Sequence, residues 1–320
     1  KNFDRLEAIR KSNLTRTGLE NHALLPDQPV LTWLSYNVHG NEAVSMEAAM
    51  QTLYDLANKT NNQTQQWLEN TVVIIDPCIN PDGRDRYANW YNQYVNYPNN
   101  PDPNSKEHNE PWISGRSNHY MFDLTRDWAW LTQKESQARI ALYNQWMPQV
   151  HVDFHEQGVD SPYYFAPAAE PYHEVITNWQ REFQNLIGHA RYFDQNGWLY
   201  FTKERFDLLY PSYGDTYPVY SGAVGMTYEQ GGSGRAGLAV FNQEGNLLTL
   251  KDRIAHHHTT SLSTIEMSAQ HARKLLTEFE KYYKNPSPSR YKSFVISAAN
   301  DSDVLERLTQ LLSAHRISFG

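Results

Sequence analysis

Extended apolar runs that alternate with stretches of helical periodicity limit this chain to few architectures. The runs are Pro29–Tyr36, Thr71–Ile75, Gln149–Phe154 and Gly222–Tyr228. Between the first two, Ala43, Met46, Ala49, Met50, Leu53 and Leu56 fall at helical spacing and predict a helix over 42–57. Further helices are predicted over 133–147, 172–188 and 246–284. Such alternation predicts an α/β fold, a mostly parallel, mixed central sheet with helices on both faces. Thr71–Ile75 is apolar on both faces, which suits the middle of that sheet. Asn80-Pro81-Asp82-Gly83 reads as a turn, and the Asn- and Pro-rich stretch 92–120 as a long functional or mobile loop. Pro286-Ser287-Pro288-Ser289 reads as a linker, followed by a strand, Tyr291–Ser297, and a helix, Asp303–His315. One domain is therefore expected over 1–285. Residues 286–320 are expected to be a linker and the truncated opening of a second α/β domain, or a last edge element of the first.

Composition removes several functions. The net charge of -8 argues against a general nucleic-acid surface, which needs clustered Lys and Arg. No run of 18 apolar residues exists, so no membrane span is expected. Cys78 is the only cysteine, which rules out an internal disulfide and a Cys-based zinc site. It sits in an apolar run and reads as a buried, inert thiol. The start, Lys1-Asn2-Phe3-Asp4-Arg5, lacks an initiator Met and a signal-like apolar core, so the chain is expected to begin after a trimmed segment.

In parallel α/β sheets ligands bind at the carboxyl ends of the strands. Three polar clusters fall at such ends here: His39-Gly40-Asn41-Glu42, His155-Glu156 and Glu229. A His ending a strand and a Glu opening the next helix can face one metal ion, and His155 would add a third ligand. That leaves a fourth position for water, as a catalytic zinc requires. Glu229 would then be placed to take a proton from that water. His151, on the same face of its strand as His155, is a rival ligand. The H-E-x-x-H zinc signature is absent. His256-His257-His258 point in different directions on a helix, so a surface or interhelix place is expected for them.

The order of motifs resembles the zinc carboxypeptidases of the carboxypeptidase A type. The matching pieces are Val38-His39-Gly40-Asn41-Glu42, Asn80-Pro81-Asp82-Gly83, Phe122-Asp123-Leu124-Thr125-Arg126-Asp127-Trp128, Val152-Asp153-Phe154-His155 and Met226-Thr227-Tyr228-Glu229. The resemblance implies that family's phosphorylase/hydrolase-like fold, a catalytic domain over 1–285, one zinc ion per chain and a peptide substrate. It implies that His39, Glu42 and His155 are the zinc ligands and Glu229 the general base. Asp123 is then the carboxylate that orients the first ligand histidine. Arg126 becomes the two-point anchor of a terminal carboxylate, and Arg116 the residue that steadies the oxyanion, with Arg84 and Arg86 as rivals. Tyr210 is matched to the mobile tyrosine over bound substrate, with Tyr213 and Tyr217 as rivals.

There are departures from the family pattern. Thr125 stands where the family has Asn, with a shorter reach towards a substrate carboxylate. Glu156, Gln157 and Gln230 also differ from the digestive enzymes, and the region of the family's first edge strands is expected to be missing or shortened. The leading expectation is a peptidase that removes a C-terminal residue, periplasmic or secreted like many such enzymes. Asp215 would favour a basic side chain in its pocket. A cell-wall peptide amidase or an N-acyl amino acid deacylase would share the zinc site. A non-catalytic binding module would be expected to lack a ligand or the base, and this sequence keeps all of them.

Overall fold

A computed structural model of the protein describes residues 2–286, 291–297 and 299–320. Its elements begin with α1 (Asn2–Arg16), β1 (Val30–Tyr36), α2 (Val44–Ala57), α3 (Asn62–Asn70), β2 (Thr71–Asp76), α4 (Pro81–Tyr94), α5 (Lys134–Trp146) and β3 (Val150–Gln157). There follow β4 (Tyr163–Tyr164), β5 (Ala169–Tyr172), α6 (Asn178–Leu186), α7 (His189–Asn196), β6 (Tyr200–Phe201), β7 (Asp207–Leu208), α8 (Thr216–Tyr220) and β8 (Val224–Gly231). The chain continues through β9 (Ala239–Phe241), β10 (Leu247–Thr249), α9 (Leu250–Gln270), α10 (Ala272–Lys284) and α11 (Ser302–Ala314).

The main sheet runs β2-β1-β3-β8-β4-β6. β2, β1, β3 and β8 are mutually parallel, and β4 crosses antiparallel to β8. This is the expected mixed, mostly parallel α/β sheet, with one correction. β2 is an edge strand, not a central one, and it is half-buried beyond Thr71. Helices cover both of its faces, so its side chains are as apolar as those of a central strand, while side-chain pattern carries no information about the open edge.

Alternation along the strands divides the core. Leu34, Tyr36, Val152, Phe154, Met226 and Tyr228 pack on one face against Ala49 and Leu56 of α2, Phe183 of α6 and Ile265 of α9. On the other face Trp33 packs with Trp128, with Ile140 and Tyr143 of α5, Leu14 of α1 and Phe279 of α10. Fully burying one such side chain contributes roughly 1.5–3 kcal/mol. His151, Asp153 and His155 alternate with Val150, Val152 and Phe154, and so point to the side of Trp33.

Other expectations need correction. Asn80-Pro81-Asp82-Gly83 is the start of α4, with Asn80 as N-cap accepting from the Gly83 N–H at 2.9 Å and Pro81 in the first turn. The helix expected over 172–188 is shorter, because β5 takes Ala169–Tyr172 and Thr177 caps α6 through a capping box. Residues 291–297 form no strand. Part of the expected linker, 287–290, lies outside the described residues. Cys78 is half-buried, and burial raises its thiol pKa. No described helix is long and apolar enough to cross a membrane.

Candidate metal centre and cleft

The turn after β1 is built by its own polar side chains. Asn37 takes the left-handed conformation (φ 57°), and its amide donates to the carbonyls of His39 (2.9 Å) and Glu42 (3.0 Å). The Ser45 hydroxyl accepts the Asn37 N–H at 3.0 Å. Gly40 is required because a Cβ there would collide with the backbone of Gly83 and Arg84 at the start of α4. The turn therefore aims His39 and Glu42, both buried, at the end of β3. There His155 sits in register with Glu229 of β8, and cross-strand partners share a face.

Three groups converge on one point. His39 Nδ1 and His155 Nδ1 are 3.3 Å apart, and the Glu42 oxygens lie 2.8 Å from the first and 3.0 Å from the second. The ligand atoms of His39, Glu42 and His155 all lie within 4.8 Å of one another. His39 Nε2–H is committed to Asp123 Oδ1 at 2.9 Å and to the Thr125 hydroxyl at 3.0 Å, which leaves an Nδ1 lone pair facing the centre. His155 Nε2 lies 3.0 Å from Asp153 Oδ2, a close polar contact out of line for a good hydrogen bond. Lone pairs and a carboxylate facing one another in a buried site repel unless a cation stands between them. The two-nitrogen, one-carboxylate set is a donor set that zinc takes.

The electrostatics agree with this. Burial would raise the Glu42 carboxyl, but His39 and His155 outweigh it and hold it well below the usual range. Burial would likewise raise Asp123, and the His39 hydrogen bond with the Arg116 and Arg126 guanidinium groups holds it low. His155 is pushed down by burial, yet Asp153 and Glu42 pull it well above its ordinary value. Glu229 is pushed up to about 8 by burial, with the Glu42 and Asp153 charges adding to the effect.

A cleft of about 460 Å³ opens over this centre, lined among others by Arg116, Arg126, Tyr213, Asp215 and Glu229. Arg116 donates to Asp123 Oδ2 from Nη2 at 2.9 Å and lies 3.6 Å from Glu42 Oε1. Its rivals are elsewhere, since Arg84 pairs with Glu47 and Arg86 donates to the carbonyls of Ser114 and Ser117. Arg126 also reaches Asp123 Oδ2 and lies over the Tyr213 ring, 5.4 Å from its centroid. The Thr125 hydroxyl is already engaged by His39.

Tyr210 is not among the cleft-lining residues. Its hydroxyl accepts from Trp130 Nε1 at 2.8 Å, while Tyr213 faces the cleft. His151 is not at the centre either. Four residues along the strand put it roughly 13 Å from His155, where it is fully buried against Trp33 and Trp128. His256, His257 and His258 are taken up by Gln230, Tyr163 and Asp55. They are buried or half-buried, so a surface place does not hold; His258 meets α2, whereas His256 and His257 face strands β8 and β4 rather than another helix.

The roles of three residues do not follow from the sequence reading. Asp153 backs His155 from the same strand, and its place two residues before a histidine on one face was the available signal. Gly214 is small because a Cβ there would collide with Asp153 Oδ2. Glu156 is the third. Its backbone N–H donates to Glu42 Oε2 at 2.9 Å, its Oε1 accepts the Val44 N–H at 3.0 Å, and its Oε2 pairs with Arg253 of α9 at 2.8 Å. No local sequence signal joins Glu156 to Arg253.

A family model described as zinc carboxypeptidase matches residues 26–205, a span that includes His39, Glu42, Arg116, Asp123, Arg126 and His155 but not Glu229. Among solved structures, a metallo-carboxypeptidase from Burkholderia cenocepacia is 14% identical, with a TM-score of 0.52 over 76% of this chain and 58% of that one. A metallo-carboxypeptidase from Pseudomonas aeruginosa, in complex with (2-guanidinoethylmercapto)succinic acid, is 12% identical, with a TM-score of 0.52 over 78% of this chain and 59% of that one. These likenesses concern the fold, and the chain spans less than two thirds of either structure's length.

Proposed function

The chain belongs to the zinc carboxypeptidase family, and we propose that it is a zinc metallopeptidase that removes the C-terminal residue from peptides. One observation carries this reading. Two histidine Nδ1 atoms and a carboxylate converge beside a buried glutamate, in a cleft whose rim carries Arg116 and Arg126. His39, Glu42 and His155 would hold the zinc, which when bound supplies Lewis-acid activation of water and of the scissile carbonyl. Asp123 keeps the His39 imidazole oriented with Nδ1 towards the centre, and the Asp153 carboxylate lies beside His155 Nε2 on the far side of that ring. Glu229 takes the proton of the attacking water and returns it to the leaving amine. Arg116 faces the negative charge that develops on the carbonyl oxygen. Arg126 receives the substrate's terminal carboxylate.

A second reading has an observation of its own. The Thr125 hydroxyl is bound to His39 and Arg126 is partly spent on Asp123, so the grip on a free carboxylate is thinner than the family pattern implies. A cell-wall peptide cleaved away from a free terminus would need less of that grip, whereas an N-acyl amino acid keeps the free carboxylate and would need it as much. Zinc-loaded protein should be assayed on peptides with free and amidated C-termini, on a cell-wall peptide and on N-acyl amino acids. Trimming of free termini alone supports the carboxypeptidase. Cleavage confined to the other substrates moves the assignment to an amidase or deacylase. No cleavage at all leaves a binding module.

A further inference from the structure

The terminal helix α11 lies against the body of the protein, close to the substrate side of the cleft. Leu311 packs with the Trp33, Trp128 and Tyr143 cluster, and Asn144 of α5 donates to the Ala314 carbonyl at 2.8 Å. Its C-cap, His315, uses both ring nitrogens. Nε2–H donates to the Ala129 carbonyl at 2.8 Å, and Nδ1 lies 2.8 Å from the Tyr217 hydroxyl. A carbonyl only accepts, so the proton on Nε2 is fixed, and in the neutral ring Nδ1 accepts from Tyr217.

The two partners of His315 adjoin two of the segments that line the cleft. Ala129 follows Arg126 by three residues, and Tyr217 follows the cleft-lining run Tyr213-Gly214-Asp215. On the inner side Ser212 already joins these segments. Its hydroxyl donates to the Arg126 carbonyl at 2.7 Å and accepts the Ala129 N–H at 2.9 Å. His315 joins the same segments from outside. The helix that carries it is otherwise lightly held. It has no fully buried residue, and a groove of about 730 Å³ separates it in part from Trp130, Leu131 and Gln137.

We propose that His315 is a positioning residue, which from α11 fixes the spacing between the Arg126 segment and the Tyr213–Asp215 wall and so sets how tightly substrate is held. The consequence for catalysis rests on the carboxypeptidase reading. His315 touches neither the metal ligands nor Glu229, so its loss should act on binding and leave bond cleavage alone.

The test compares the zinc-loaded wild type with His315→Ala, His315→Gln and Tyr217→Phe. Losing two hydrogen bonds should raise KM for peptides with free C-termini about tenfold in His315→Ala, with kcat and zinc content within about twofold of wild type. Gln, which keeps a donor and an acceptor, should recover part of the loss, and Tyr217→Phe should reproduce part of it. Amide hydrogen exchange in 126–131 and 210–217 should quicken about tenfold in His315→Ala, while β3 and β8 are unchanged. An unchanged KM together with unchanged exchange overturns the proposal. So does a fall in kcat and zinc content alongside KM, which marks general damage. If the wild type trims no peptide, the carboxypeptidase reading fails, and the exchange contrast still decides whether His315 holds these segments.

Discussion

Replacing Arg253 by Met tests the buried architecture behind the metal centre. Arg253 and Glu156 are 4% and 3% exposed, and Nη1 and Oε2 are 2.8 Å apart. Arg253→Met leaves the Glu156 carboxylate in place, still accepting from Val44 but without its counter-charge. Stranding one member of a buried pair costs about 3–5 kcal/mol, whereas breaking an exposed pair costs about 1 kcal/mol or less. The depth of burial places Arg253→Met in the first range. Burial raises the Glu156 pKa against the pull of Arg253, so the folded state binds this proton more tightly than the unfolded chain does. The group's contribution is therefore present below its unfolded pKa and lost as pH rises through the folded value. Removing Arg253 lifts that value further, so the cost of the substitution should be larger at pH 8 than at pH 6. Adding Glu156→Gln should return part of the loss. Urea unfolding of chelator-treated protein gives the numbers without a contribution from bound metal. A cost near 1 kcal/mol at pH 8, or a cost unaffected by Glu156→Gln, would refute the reasoning.

Three further predictions follow from named contacts. Glu229→Gln should lower kcat by a factor of about 10²–10⁴. The same variant, free of metal, should melt higher than wild type at pH 8. The reason is that wild-type stability falls as pH rises from the ordinary value of 4.5 towards the folded value of about 8, and the gain should fade at pH 5. Equal melting curves at both pH values would contradict it. Asn80→Ala removes the acceptor for the Gly83 N–H and the donor to the Arg116 carbonyl, so it should cost about 1 kcal/mol in urea unfolding. It should also slow turnover by loosening Arg116. Asp153→Asn should weaken zinc about 10–100-fold in competition with a chromogenic chelator. An unchanged affinity would show that Asp153 does not support His155.

Much of the site was legible because it lies where parallel strands end. β1, α2, β3 and β8 have long apolar patterns, and His39, Glu42, His155 and Glu229 follow from the strand-end rule together with the family resemblance. The missed parts have physical causes. α1 buries Ser12 and Asn13 beside Ile9 and Leu14, so it lacks an apolar stripe. α4 begins with Asn-Pro, which cap and turn use alike, and only Gly83 donating to Asn80 separates the two. The edge position of β2 depends on which strands pair, a non-local fact. Pairs such as Glu156–Arg253 and Tyr217–His315 join residues 97 and 98 positions apart, and only the folded chain brings them together. The strand expected at Tyr291–Ser297 had the right side chains, but no strand forms over these described residues, and Phe294 and Val295 are 84% and 93% exposed.

The most direct test of the central claim is zinc content by elemental analysis after reconstitution and desalting. It should be measured for wild type, His39→Ala, Glu42→Ala, His155→Ala and, as a control, His256→Ala. The account predicts one zinc per chain in wild type and in His256→Ala, and loss of zinc in the other three. No zinc in wild type, or zinc that survives His155→Ala and follows His256 instead, would contradict it.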